Sequence, residues 1–579
     1  MTALGVGTTV EYTANPTGVP TIKSSVDINN PANFVWAGGR VNMQDEKRWY
    51  ETKGARAALT WGDEALNLKF GANYDDVSRT IRGYDNSQAW QNATCGNNPS
   101  LNLPSPNSQP GCQGLNQPGA APAGYPTYPG YGTGSTAGQT GTLTYGGSLI
   151  PTTGLAGYLK PGPAGFVTVD WDKVKQATKY DQFHDNTPES GGSNTGASGG
   201  YINEKNSAAY TELNGVTQVL DSDLRFNVGL RYVHTKQTIG GRVSLADPRN
   251  TLAGGGQLAD GSRYPNITNF VYVENTYSKW LPAASIAYDV SERAVARVAV
   301  SETMTRPDPA AQLPGVGFGA PSADQATIGN SALEPYFSKN IDLGFEFYTG
   351  QEGLIAVNAF RKSLTGFTQN NVVTQPFSFL AQYGITYDTL NDTQKAAITS
   401  RGGPTQAQVQ VQSQINVPNK LTINGLEFQW VQPLDFLTSR FGVEGLGVNA
   451  NATIVDQTSD GPATALGVSK YTYNLTGYYE RNGVSLRLSH VFRKGSQVSG
   501  LNQNGIAAAA LFSDDYKQTD FSSSYDLGKI FGLNNAPQVT FNVTNLTNES
   551  LRSYFQYDNA TFTYYKPGRT YVLGLRMSF

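Results

Sequence analysis

The last residues of the chain, Arg569-Thr-Tyr-Val-Leu-Gly-Leu-Arg-Met-Ser-Phe579, restrict its possible folds more than any other stretch. Tyr571, Leu573, Leu575, Met577 and Phe579 are apolar, while Thr570, Gly574, Arg576 and Ser578 between them are polar or small. That is the period of a β-strand with two unlike faces. The pattern recurs along the chain. Leu224, Phe226, Val228, Leu230 and Tyr232 alternate with Arg225, Asn227, Gly229 and Arg231. Leu66 to Phe70, Ile341 to Phe347, Leu426 to Trp430, Tyr471 to Leu475 and Val484 to Leu488 alternate in the same way. Their polar faces carry Arg, Lys and Glu, which suits a water-filled lumen better than the wet side of a soluble sheet. The expected fold is all-β: a transmembrane antiparallel β-barrel.

Composition agrees. Charged residues make up 15 % of the chain, low against the roughly 25 % of soluble proteins. Tyr, with 32 copies, and Gly, with 64, are abundant. No apolar run is long enough for a membrane helix. The mean hydropathy of −0.38 is what a barrel shows, because alternate residues alone meet lipid. A net charge of −3 gives no electrostatic footprint for nucleic acid.

The connections sort into two sets. Short links occur at Gly62–Glu64, Asp221–Asp223, Asp289–Arg293, Gly350–Gly353 and Arg481–Gly483, the last containing the Asn-Gly hairpin signal. Long polar segments lie at 83–203, 240–266, 304–337, 369–416, 457–468, 499–514 and 548–564. Short turns belong to the periplasmic side of such a barrel and long loops to the outside. About fifteen strands follow residue 48, and Gly7–Thr13 is expected to add a sixteenth. Trp61, Tyr288, Trp430 and Phe579 fall at expected periplasmic ends, Trp49 and Tyr471 at external ends, as an aromatic girdle requires. The inward Arg225, Arg231, Arg297, Arg487 and Arg576 are expected to pair with lumen carboxylates or with a plug. Leu390–Ile398 is expected to form a helical turn or two, with Asp392 near its start.

Several motifs resemble TonB-dependent outer-membrane receptors. Ser301-Glu-Thr-Met-Thr-Arg306-Pro307-Asp308-Pro309 after the strand Ala294–Val300 is similar to the branch common in Caulobacter- and Xanthomonas-like bacteria. Asn330-Ser-Ala-Leu-Glu334-Pro335, continuing to Asn340, Asp342, Gly344 and Glu346, resembles a family stretch but reads Glu-Pro where the family has Pro-Glu. Ile423–Glu427, Phe541–Glu549 and Tyr565–Phe579 also fit. Together the motifs run from about residue 45 to the end, which gives a barrel over 47–579 and a partial strand and loop over 1–46.

The resemblance implies an outer-membrane protein in contact with lipid, whose terminal strand is read by the barrel assembly machinery. It also implies import of a small-molecule or oligosaccharide ligand, powered by the TonB–ExbB–ExbD complex acting on a plug. No cofactor is implied. A signal peptide, a plug and about six of a family-typical twenty-two strands are not found before residue 45. The expectation is therefore a truncated receptor, and the alternative a plugless, porin-like channel.

The loop over 83–203 is expected to be external. Its Trp90, Tyr125, Tyr128 and Tyr131 are candidates for a stacking surface under a sugar-like ligand, since aromatic faces match the C–H faces of a pyranose. As a ligand class, oligosaccharides are favoured over iron chelates on these aromatics and on the family branch. Cys95 and Cys112, the two cysteines, are expected to form a disulfide in an exported loop, worth roughly 3 kcal/mol by loop closure. A metal site is not expected, because His184 is the one His of that segment. Nor is an enzyme. His184, His234 and His490 sit in unrelated contexts, and H-E-x-x-H does not occur.

Overall fold

The computed structural model of the chain describes residues 2–4, 7–36, 43–85, 90, 94, 155–185, 187, 189–190, 200–245, 267–318, 322–350, 352–390, 392–461, 464–500, 509–534 and 536–577. One antiparallel sheet dominates, and fifteen strands follow one another across it in chain order. They are β1 Gln44–Gly62, β2 Leu66–Asp85, β3 Gly200–Val219, β4 Ser222–Leu245, β5 Ile267–Ser291, β6 Ala294–Thr305, β7 Tyr336–Tyr348 and β8 Leu354–Thr365. The series continues with β9 Leu421–Pro433, β10 Leu446–Ser459, β11 Tyr471–Arg481, β12 Val484–Arg493, β13 Tyr516–Asp526, β14 Gln538–Thr544 and β15 Thr570–Arg576. The two residues Glu189–Ser190 also pair with β2. No helix among the described residues is long and apolar enough to cross a membrane.

The strands expected from alternation are present, and the register puts like residues in rows. Asn67, Asn214 and Asn227 stand opposite one another on β2, β3 and β4. Asn227 donates to Asn214 Oδ1 at 2.6 Å, and Asn214 donates to Asn67 Oδ1 at 3.1 Å. The other face shows Val228, Leu230, Ile341, Leu343, Phe345, Leu426, Phe428 and Trp430 exposed, as a lipid-facing wall requires. On the terminal strand Tyr571, Leu573, Leu575 and Met577 are exposed, while Phe579 lies outside the described residues.

Three of the five inward arginines meet carboxylates near the short-turn end. Arg297 holds Glu346 with two bonds, Nε to Oε1 at 2.7 Å and Nη2 to Oε2 at 3.1 Å. Arg487 donates to Glu480 at 3.0 Å, and Arg225 pairs with Asp289. Arg231 donates instead to Asn73.

Two expectations need correction. Residues 7–13 do not join the large sheet: Val10–Thr13 pairs with Thr21–Ser24 in a separate hairpin. There, local pairing through the Pro16–Gly18 turn region takes precedence over joining the distant wall. The turn after β3 falls at Leu220 and Asp221, with φ of 51° and 62°, one residue earlier than read. Asn482 and Gly483 adopt positive φ together, the tight hairpin their identities demand.

We predict that Val228→Arg, at mid-strand on the apolar face, destabilises the folded barrel by about 2–4 kcal/mol. Asn227→Arg, one residue away beside Glu212 on the polar face, should be much milder. Urea unfolding in lipid vesicles distinguishes them, and equal losses would contradict the assignment of faces.

Candidate functional site

The long connection between β6 and β7 and the one between β8 and β9 fold together into a cap. Four strands form its sheet: Val316–Gly317, Gln325–Ile328, Gln408–Asn416 and Thr368–Pro376. The middle pair runs parallel and joins segments more than eighty residues apart in sequence. Behind it lies a hydrophobic core containing Phe377, Leu380, Ile385, Leu390, Ile398 and Val409, all buried. The Leu390–Ile398 expectation is met by the helix Asp392–Ser400. Arg401, just beyond it, donates to the carbonyls of Ala397, Gln408, Ser322 and Ala323, at 2.7 to 3.1 Å. One guanidinium thus satisfies four acceptors from three stretches of chain.

The family-like motifs form the junction between cap and wall. Asp308 caps the short helix Pro309–Gln312, accepting from Ala310 N at 2.9 Å, with Pro309 at the position where a missing N–H does no harm. Leu313 and Pro314 then press onto β3 and β4 at Gly200 and Gly241. A Cβ at Gly241 would stand 2.0 Å from the Pro314 carbonyl oxygen, so glycine is required by close approach. Asn330 donates to the Gln414 carbonyl at 3.0 Å, and Leu333 is fully buried. Asn416 accepts from Glu334 N at 2.8 Å and donates to the carbonyls of Glu334 and Gly366.

Beneath this junction the inward face of β3, β4 and β5 carries a buried polar cluster. Asn206, Thr235 and Tyr277 form one register row, and Glu204, Gln237 and Asn275 the next. Thr235 donates to Asn206 Oδ1 at 2.7 Å, and Gln237 donates to Glu204 Oε1 at 2.7 Å. Gln237 Oε1 in turn accepts from Gln312 at 3.3 Å and Asn275 at 3.4 Å. Arg306 enters from above. Its Nη2 donates to Asn206 Oδ1 at 2.5 Å, and its Nε lies 3.6 Å from Glu204 Oε1. The Tyr277 hydroxyl, Arg306 Nε and Gln312 Oε1 are buried without a hydrogen bond, Arg306 Nε being left with its ion-pair contact to Glu204 alone. Such groups are costly unless hydrated or displaced, so the seat of the cap combines apolar contact at Leu313, Pro314 and Leu333 with a polar cluster that is not fully satisfied.

Elsewhere on the same side, Asn545 ties the last loop together. It donates to the carbonyls of Gly568 at 2.9 Å and Glu549 at 3.1 Å, and Arg569 donates to the Leu546 carbonyl at 2.8 Å. Asp515 lies between β12 and β13. Burial alone would raise its carboxyl, but the Gly495 amide at 2.9 Å and the Lys494 ammonium hold it below the usual range.

Of the sequence candidates for stacking, Trp90 is buried. Its Nε1 donates to the Thr178 carbonyl at 3.2 Å, Tyr180 meets it edge-on at 5.6 Å, and Met43 and Phe183 complete the cluster. The ring expected to be open to ligand is thus covered by the helices Trp171–Ala177 and Tyr180–Asp185 of its own loop. Tyr125, Tyr128, Tyr131, Cys95 and Cys112 lie outside the described residues. Sequence reading missed the Arg306 cluster as a site. The signal available was Arg306 within a recognised motif, but its partners lie about 70 to 100 residues away.

A lipid-facing antiparallel wall with a polar lumen and a loop-built cap defines the class as an outer-membrane β-barrel. Residues 6–546 match the family TonB dependent receptor-like, beta-barrel, and the chain belongs to it. Barrels of this family are outer-membrane receptors of Gram-negative bacteria, not enzymes. Similar solved structures include the ferric citrate transporter FecA in its unliganded form, with 12 % identity and a TM-score of 0.47 over 94 % of this chain and 56 % of that one. The ferric yersiniabactin uptake receptor FyuA from Yersinia pestis gives 11 % and 0.43, over 93 % and 54 %. The copper transporter OprC gives 11 % and 0.47, over 93 % and 58 %. The chain spans a little over half the length of these structures. Comparison with curated protein sequences gives no match.

We predict that Gly241→Val unseats the cap. Overpacking of this kind costs about 1–3 kcal/mol, so the unseated population should rise roughly 5- to 150-fold. Subtilisin cleavage of the folded barrel within 306–334 would accelerate accordingly; an unchanged cleavage rate would mean that the cap does not rest on Gly241 through Pro314.

Proposed function

We propose that this chain supplies the barrel of a receptor that captures a bulky, scarce ligand outside the cell and admits it through the lumen. Uptake is energised by TonB–ExbB–ExbD acting on a plug in the whole protein. Membership of the TonB-dependent receptor-like barrel family is the observation that carries this reading. The polar lumen wall and the cap over its external end support it: the first gives a wet path, the second a barrier to free diffusion.

The ligand class favoured is an oligosaccharide. Sequence supports this through Tyr125, Tyr128 and Tyr131 in a Gly-, Pro- and Asn-rich loop, where rings can stack on sugar faces. The motifs around Arg306 point the same way through the receptor branch they resemble. Beneath the cap lies an amide-rich cluster of Asn206, Gln237, Asn275 and Gln312, the two Gln buried in this state, whose groups suit hydroxyls, which both donate and accept, once the cap lifts.

The test is uptake of labelled oligosaccharides and of ferric chelates by cells carrying the intact gene, with and without TonB. We predict saturable, TonB-dependent entry of an oligosaccharide. TonB-dependent entry of a ferric chelate alone would overturn the ligand class. Non-saturable entry that ignores TonB would replace the receptor by a passive channel.

A further inference from the structure

Five of the seven links at the short-turn end are polar or only a few residues long, such as Asn482–Gly483 and Glu292–Arg293. The other two are longer and carry short helices. Between β9 and β10 the chain forms Asp435–Thr438 and a 3-10 turn Ser439–Phe441; between β13 and β14 it forms Leu527–Phe531. Both are fixed locally. Asp435 accepts from Gly445 N at 2.7 Å and Asp526 accepts from Lys529 N at 3.1 Å, and Gly442 and Gly532 end the turns with positive φ. Asp526 thus caps its helix and Asp435 holds the Gly445 amide, whereas five large apolar side chains are left open. Phe441 is 83 % exposed, Phe531 68 % and Phe436 60 %, with Leu437 and Leu533 also exposed. Arg440 and Lys529 stand exposed in the same two turns.

These turns continue the lipid-facing wall rather than starting a new surface. Leu434, at the base of the first turn, pairs through its backbone with Leu446 and shares with it an apolar groove of about 550 Å³ on the sheet. Leu475, Leu488 and Phe521 line the same groove, and Gly477 forms its floor, with no atom within 4 Å of where a Cβ would lie. Leu475 and Leu488 belong to the exposed apolar face. The strip of exposed apolar side chains thus runs off the ends of the strands into the turns. Exposed aromatics beside Arg and Lys at the edge of such a strip have the chemistry of a membrane interface, with rings at the headgroup level and cations among phosphates.

We infer that the turns 434–445 and 527–537 are interfacial anchors, which insert Phe436, Phe441 and Phe531 into the phospholipid leaflet on the short-turn side. Arg440 and Lys529 bind lipid phosphates there. The anchors fix the depth of the barrel at one sector of its rim, the sector of β9 to β14. This holds whether or not the barrel imports a ligand.

The test is fluorescence in vesicles of phosphatidylethanolamine and phosphatidylglycerol. Phe441→Cys, Phe531→Cys and, as a control in a polar turn, Glu352→Cys are each labelled in the full chain with a nitrobenzoxadiazole dye. The unsubstituted chain gives the background from Cys95 and Cys112, and heat-modifiable mobility reports folding of each labelled protein. The expected result is blue-shifted emission from the two Phe sites and its loss with phospholipids brominated near the headgroup, against neither effect at residue 352. Emission at 441 and 531 that matches residue 352 and ignores brominated lipid would overturn the inference and leave the turns facing water or a periplasmic protein.

Discussion

Within a bilayer no water is present to receive a backbone N–H or C=O, and each group left unpaired costs several kcal/mol. From β1 to β15 each strand meets that demand against its neighbours in the series, and the registers run almost unbroken; β3 and β4 pair from Gly200–Gly241 to Val219–Ser222 without a bulge, while among the described residues β1 pairs with β2 alone and β15 with β14 alone. Everything else follows from that ladder. Its period of two sends alternate side chains to opposite sides, so a sequence written for it must serve lipid and water in turn. Leu343 and Phe345 face out, with Gly344 between them and Asp342 and Glu346 on either side. The inward face then becomes a place where polar groups can bond to one another, as in the Asn67–Asn214–Asn227 row and the Arg297–Glu346 fork.

The same inward face receives the cap. Two external loops share one core around Phe377 and Leu380, most of it from the β8–β9 connection, and one sheet with a parallel pair. What seats this unit on the wall is different in kind. Gly200 and Gly241 permit close approach, and the cluster of Arg306, Glu204, Asn206 and Gln237 supplies hydrogen bonds. A lumen mouth closed by apolar packing would be hard to open. One closed in part by polar groups, three of whose atoms lack a hydrogen bond, exchanges protein bonds for water bonds at smaller net loss.

The fold was legible because its signal is local: alternation on β4, β7 and β9 and the turn at Asn482–Gly483 are each readable within a dozen residues. The external segments were legible as segments but not as structure. Gln408-Val-Gln-Val-Gln-Ser-Gln-Ile-Asn416 alternates clearly, yet nothing in it names Gln325–Ile328 as its parallel partner. Arg306 stood in a recognised motif, but its role depends on Asn206 and Glu204, a hundred residues earlier. Trp90 was read as an open ring because loop composition suggested exposure; helices later in that loop cover it. Residues 7–13 were assigned to the wall on pattern alone, and a neighbouring segment took them instead.

The most direct test of the two-faced wall is a cysteine scan of β4 from Leu224 to His234 in native outer membranes, read with a membrane-impermeant thiol reagent. The account predicts a period of two, with Arg225, Asn227, Gly229 and Arg231 positions reactive and Phe226, Val228 and Leu230 positions protected. Reactivity without that alternation, or with the two sets exchanged, would contradict it.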